Sequence, residues 1–253
     1  MLIQLQYVRA IAALMVVYFH SILQLYKVFP TPSLGGVLIG ETGVDLFFVL
    51  SGFVMWLTTA SRDIGPIEFY KRRIERIVPL YWLFTIFAAA IAFAIPSILR
   101  STQFDIPHLL ASLLFIPWTN PADPAGAMIA PVIVPGWTLN YEMYFYLLFG
   151  VLLVVPAQRR LASLTLLLAG IFLLAHAVPG DSVFSRFYGN SVIFEFLAGV
   201  VLARLYMAGK LLPLKVAAPI AITAFAVLLF LDYSKLDLPR VISSGIPATL
   251  IIY

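Results

Sequence analysis

Polar residues in this chain fall in clusters, and between the clusters the side chains stay apolar for far longer than a core helix requires. Seven such runs cover Val8–Leu25, Val37–Thr59, Ile77–Ile98, Trp137–Val155, Leu161–Val178, Ser191–Ala208 and Lys215–Leu231. Each is near the ~20 residues with which an α-helix crosses a hydrocarbon core. Backbone N–H and C=O groups in lipid must be satisfied within their own segment, so these runs predict helices rather than isolated strands. An eighth helix is expected to begin at Ile246, and the run is cut off at Tyr253. The expected fold class is therefore all-α. It is a polytopic transmembrane helix bundle, one domain over residues 1–253, with at least seven helices, an eighth begun and further C-terminal helices missing. Between the third and fourth runs, Leu99–Gly136 holds a short apolar stretch, His108–Trp118, and a proline-rich piece from Pro121 to Pro135. About ten apolar residues are too few to span, so this segment is expected to dip into the membrane or cover a cavity.

Composition sharpens the class. Hydrophobic residues make up 62% of the chain and charged ones 11%, with a mean hydropathy of +1.00. Soluble domains hold roughly 25% charged residues, so lipid is the solvent for most of this surface. The absence of cysteine excludes disulfides, thiolate metal sites and a cysteine nucleophile. No metal-ligand spacing is present, and no bound cofactor is expected. The pI near 9.3 reflects cations gathered between apolar runs, which set topology and do not point to nucleic acid. With the N-terminus in the cytoplasm, the inner loops hold nine cations: Arg62, Lys71, Arg72, Arg73, Arg76, Arg159, Arg160, Lys210 and Lys215. The outer loops hold five, Lys27, Arg100, Arg186, Lys235 and Arg240, so this orientation is expected. The first run is long and contains Arg9 and His20, unlike a cleavable signal peptide.

The residues that do not belong in lipid point to chemistry. His20, Asp45, Glu142 and Glu195 lie within predicted spans, where an ionised side chain costs about 2.5–3.5 kcal/mol on insertion scales. Counted from the outer side, all four lie in the outer part of the membrane, whereas Arg9, Arg73 and Arg76 collect at the inner face. Arg9 and His20 are eleven residues apart, which returns a helix to within about 20° of its starting direction. They share one face of the first helix. Arg9 is either a snorkelling anchor or part of a site. His20 is either a satisfied interhelical hydrogen bond or a base oriented by a neighbouring carboxylate.

Five motifs occur in order: LQYVRAIAALMVVYFH, GVDLFFVLSGFVM, FYKRRIERIVPLYW, GWTLNYEMYFYLLF and FEFLAGVVLARLY. The chain resembles the integral-membrane acyltransferases of family 3, bacterial enzymes that O-acylate cell-surface sugars and glycans. The resemblance covers Leu5 to about Tyr206, and family members usually carry around ten membrane helices. It implies that the arginine and histidine of the first helix are Arg9 and His20, and that the cytoplasmic R-x-x-R associated with acyl-CoA is Arg73 and Arg76. It implies further that the helix-two acid is Asp45 and that the tryptophan-to-glutamate motif is Trp137 and Glu142. Many relatives have serine where this chain has Thr138, which keeps the hydroxyl. Leu99–Gly136 matches no family motif, so the acceptor stays open.

Residue chemistry is compatible with those roles. Arg73 and Arg76, three apart, project from one helix face, and guanidinium groups grip phosphates such as those of coenzyme A. The plainer reading is a topology-setting cluster with Glu75 pairing Lys71 or Arg72. Glu142, beside Trp137 and Tyr141, binds an acceptor hydroxyl, holds His20, or makes a structural bond between helices. Glu195 is open between acceptor binding and structure. Ser51 sits in LSGF and not in a nucleophile elbow. The expected candidates are thus His20, Asp45 and Glu142 for catalysis, Arg9, Arg73 and Arg76 for acyl-CoA, and Trp137, Tyr141 and Glu195 for the acceptor. The expected partners are acyl-CoA (acetyl-CoA foremost), a sugar or glycan and the lipid bilayer; the expected location is the bacterial inner membrane. In that scheme acyl-CoA docks from the cytoplasm, its pantetheine arm runs outward towards His20, and an extracytoplasmic hydroxyl attacks the thioester. An acyl-histidine intermediate is the variant. The rival is a proton-coupled transporter or flippase, which also uses intramembrane carboxylates, although no inverted repeat is visible.

Overall fold

The structure, a computed structural model, describes residues 3–29, 39–60, 64–99, 102–234, 236 and 238–253. Among these residues the chain is all-α, and its one β-bridge pairs Thr119 with Ile129. The helices are α1 (Ile3–Val28), α2 (Thr42–Ala60), α3 (Pro66–Ala94), α4 (Ile106–Leu113), α5 (Trp137–Val151), α6 (Ala157–Ala177), α7 (Val183–Tyr188), α8 (Ile193–Met207), α9 (Leu214–Ser234) and α10 (Ile246–Ile252). Seven helical segments are long and apolar enough to cross a membrane. They correspond one for one to the seven expected runs. The expected start of the second run, Val37, lies outside the described residues, as do Arg62, Arg100 and Lys235 from the cation count.

Two boundaries differ from expectation for local reasons. The third helix was expected from Ile77 but starts at Pro66, a residue preorganised for the first helical turn. Lys71, Arg72, Arg73 and Arg76 therefore sit on α3 and not in a loop. The helix also continues through Pro79. The second helix proper starts at Thr42, after a 3-10 turn over Ile39–Glu41, so Asp45 lies in its first turn rather than deep within it. At the other end of the chain, α10 begins at Ile246 as expected, led in by a wider π-helical turn over Val241–Gly245.

The helices form two compact units, α1, α2 and α8–α10 in one and α3–α7 in the other. In the first unit α2 is central: it is mostly buried, whereas α1 is largely exposed. α2 and α8 run in the same direction, from Asp45 and Glu195 at one end to Arg204 stacked over the Trp56 ring at the other. Their backbones touch where they cross. A Cβ on Gly52 would fall on the Phe196 carbonyl, and one on Gly199 would fall on that of Val49. Glycine at such crossings lets helices approach where neighbours are packed by van der Waals contact.

In the second unit α3 and α5 run antiparallel. Phe69 packs on Phe149 and Tyr146, the Tyr70 hydroxyl donates to the Leu147 carbonyl, and at the far end Tyr81 lies against Gly136. The segment between these helices is tied down by polar contacts. Asp105 caps α4 by accepting from His108 N–H, and Tyr81 and Trp82 of α3 donate to the Ser112 and Leu113 carbonyls. Thr102 donates to the carbonyl of Val132, whose N–H donates to the Ser112 hydroxyl.

Candidate functional site

The first unit gathers its charges where two helices start. Asp45 lies in the first turn of α2 and Glu195 in the first turn of α8, where the positive end of the helix dipole favours carboxylates. Both are closed off, at 0% and 1% exposure. Arg240, just before the π-helical turn, reaches in from the other end of the chain. Its Nε and Nη2 donate to the two Asp45 oxygens at 2.9 and 3.0 Å, and its Nη1 donates to Glu41 at 2.6 Å. A fork-to-carboxylate pair is among the stronger hydrogen-bonded ion pairs. The Glu195 carboxyl lies beside that of Asp45. It also faces Gly245, where a Cβ would stand 3.0 Å from its Oε1. Three carboxyl groups thus converge on one guanidinium.

Arg9 and His20 lie on α1 in the same unit. Both are half-buried, and neither makes a hydrogen bond with a described residue. The His20 ring meets Phe19 edge-on, with centroids 5.3 Å apart. Asp45, which with Glu142 was one of two carboxylates expected to orient an imidazole, directs both oxygens at Arg240. No motif or spacing points to that pairing, because Arg240 sits in a short polar stretch and reads only as a topology-setting cation.

In the second unit, motif residues of α3 and α5 meet. Arg73 and Arg76 share a helix but not an environment. The Arg73 guanidinium stands 5.2 Å from the Phe69 ring centroid and 5.1 Å from that of Tyr146, and its buried Nε donates to no described atom. Arg76 is exposed. The Tyr146 hydroxyl donates to the Glu142 carboxylate one turn earlier on α5. A cation, a phenol and a carboxylate therefore form one chain of contacts. Tyr146 is not among the candidates expected from the sequence, although it stands at i+4 from Glu142. The ion pair expected between Glu75 and Lys71 or Arg72 is replaced: Arg72 pairs with Glu68, one turn earlier, at 2.7 Å.

The acceptor candidates of this unit have defined partners. Tyr141 is buried, stacks face to face on Phe187 with centroids 4.0 Å apart, and donates its hydroxyl to the Phe187 carbonyl at 3.0 Å. Trp137 is half-buried and meets Tyr141 edge-on. Thr138 donates to the Pro135 carbonyl.

Several loop cations do local structural work. Arg160 donates to the carbonyls of Leu152, Leu153 and Val155, closing the end of α5 as a basic side chain does at a helix C-terminus. Arg186 of α7 donates to the carbonyls of Ala127 and Gly126 and pairs with Asp181. In the same loop Asp123 accepts from the Met128 N–H at 2.6 Å and from the Ala125 N–H at 3.2 Å. The Met128 contact is foremost in holding the Asp123 carboxyl below its ordinary range. His108 bonds to the Ala130 carbonyl and His176 to that of Phe172.

Comparison with known proteins finds relatives along most of the chain. The acyltransferase domain family matches residues 2–241. The exopolysaccharide production protein ExoZ of Rhizobium meliloti is 38% identical over 180 residues, 71% of this chain and 55% of its own length. Acyltransferase MdmB of Streptomyces mycarofaciens is 32% identical, over 44% of this chain and 28% of its own. O-acetyltransferase OatA of Staphylococcus aureus is 25% identical, over 65% of this chain and 30% of its own. The chain spans about half the length of the Rhizobium relative and under a third of the other two. No solved structure gives a significant match.

Proposed function

The chain belongs to acyltransferase family 3, and from that membership we propose that the whole protein moves an acyl group, acetyl foremost, from cytoplasmic acyl-CoA to a hydroxyl of an extracytoplasmic glycan. The observation that carries the reading is that Arg73 lies over the ring of Tyr146, whose hydroxyl donates to Glu142, which joins two separate motifs in one unit. An arginine that only set topology would need no aromatic cage. Likeness to a protein named for exopolysaccharide production supports a polysaccharide as the acceptor. Similarity to an O-acetyltransferase supports oxygen as the acylated atom.

The roles follow from side-chain chemistry. Arg73 and Arg76 bind phosphate groups of the donor, with Arg9 as a further cation on α1. His20 takes the proton of the acceptor hydroxyl as its oxygen bonds to the acyl carbon, and the carbon–sulfur bond breaks to release the thiolate. Asp45, held by Arg240, and Glu142, held by Tyr146, are the catalytic carboxylates of the two units. Trp137, Tyr141 and Glu195 serve the acceptor. The protein lies in the inner membrane with its N-terminus in the cytoplasm.

The test is mass spectrometry of surface glycans from cells carrying the full-length gene, the His20→Ala variant, or neither. The expected result is acylation that appears with the gene and is lost in His20→Ala at equal protein level. Full acylation in the variant would remove His20 from catalysis, and identical glycans in all three strains would overturn the reading.

A further inference from the structure

We infer that Arg240 is a positioning residue for the proposed transfer, clamping Glu41 and Asp45 so that the stretch 39–45 is fixed against the turn of α1 that ends at His20. The inference rests on the acyl-transfer reading and adds to it a residue from the far end of the described chain. Three observations within the first unit carry it.

The clamp has a directed geometry. One guanidinium uses Nε and Nη2 on Asp45 and Nη1 on Glu41, at 2.6–3.0 Å, across 195 and 199 residues of sequence. Lysine, a point charge, cannot reproduce that planar fork. The clamped stretch is also held from its other side. A Cβ on Gly40 would fall on the Met15 carbonyl and come within 2.8 Å of the Phe19 Cβ, and one on Gly43 would fall on the Ala12 carbonyl. Phe19 is the residue before His20, so a shift of 39–45 is felt at the base of the imidazole. Finally, Arg240 immediately precedes a π-helical turn, a rare form that occurs mostly as single turns inside α-helices, frequently at functional sites. The same turn ends at Gly245, packed on the Glu195 carboxyl beside Asp45. Arg240 thus sets both the charge around Asp45 and the seat of the acid next to it.

The experiment uses the full-length protein in lipid nanodiscs, with acetyl-CoA as donor and the glycan identified by the mass spectrometry above as acceptor. Arg240→Lys, Arg240→Gln and Glu41→Gln are compared with wild type by kcat, by KM for acetyl-CoA and by thermal unfolding. Arg240→Lys is expected to lower kcat at least tenfold, Arg240→Gln further, and Glu41→Gln by severalfold. KM for acetyl-CoA should stay within about twofold in each folded variant. A clamp with only a structural role would lower the unfolding midpoint and leave kcat per folded molecule at the wild-type value, which overturns the inference. Should the Arg240 variants fail to fold, Glu41→Gln decides, because Glu41 is partly exposed and Asp45 keeps its partner; a wild-type kcat there overturns the inference. A wild-type protein that acylates nothing fails the functional reading itself and takes the role of Arg240 with it, a result distinct from an active enzyme with unaffected variants.

Discussion

Arg73 and Arg76 show how one motif can hold two different residues. Arg73 lies against two rings while Arg76 faces outward, so their substitution should separate binding from stability. A charge-assisted contact to donor phosphate contributes about 1.5–3 kcal/mol, so Arg73→Ala and Arg76→Ala should each weaken acyl-CoA binding roughly tenfold or more. Only Arg73→Ala also removes cation–π contacts, each worth about 0.5–1 kcal/mol when exposed and more when desolvated, and should lower stability by about 1–2 kcal/mol. Isothermal titration with acyl-CoA and denaturant unfolding read the two effects. Equal acyl-CoA affinity in the wild type and the double variant would reduce the pair to a topology signal. Which arginine is caged was not legible in the motif, because both occupy one helix face and the cage comes partly from Tyr146 on another helix.

Among elements, the α2–α8 crossing and the 119–129 loop are the most sharply determined. Gly199→Val would drive a side chain into the Val49 carbonyl. Overpacking typically costs about 1–3 kcal/mol, and a crossing closed by backbone contact should fall at the upper end. The thermal unfolding midpoint should drop by several degrees, whereas Gly170→Val, with open space around its Cβ position, should leave it nearly unchanged. In the loop, the depressed Asp123 carboxyl gives a pH signature. Ionised Asp123 binds the Met128 and Ala125 N–H groups, so its contribution is complete above the ordinary value of 3.8. It is lost as the pH falls below that value, through the lower folded-state value. Hydrogen exchange at the Met128 amide should accelerate over that acidic interval, and Asp123→Asn should remove the dependence. Helices of this kind were legible because apolar run length reports them directly. The start of α3 differs from expectation because an apolar run marks only the uncharged part of a helix, and α3 begins with a charged stretch from Pro66 that the run does not include.

On the scale of the whole molecule, the decisive prediction concerns sidedness. The proposed orientation puts the α5–α6 junction in the cytoplasm and the loop around Asp123 outside. Gln158 and Ala125 are exposed at these two places, and the chain has no cysteine of its own. Gln158→Cys should react only when reagent reaches the cytoplasm, and Ala125→Cys should react in intact cells. A reversed pattern would turn Arg73 and Arg76 away from the cytoplasmic acyl-CoA pool and favour transport as the function.

The sequence by itself determined the helical class, the number of spans and the family, because lipid imposes long apolar runs and the motifs are local strings. It also determined that Arg9 and His20 share a face, since helical periodicity depends only on spacing. Only the tertiary structure decided which charges meet. Asp45 is held by Arg240 and Glu41 with it, and Glu142 is held by Tyr146 beneath Arg73. The clamp joins groups nearly two hundred residues apart, and no periodicity or spacing encodes a pairing that exists only once helices from both ends of the chain have packed together.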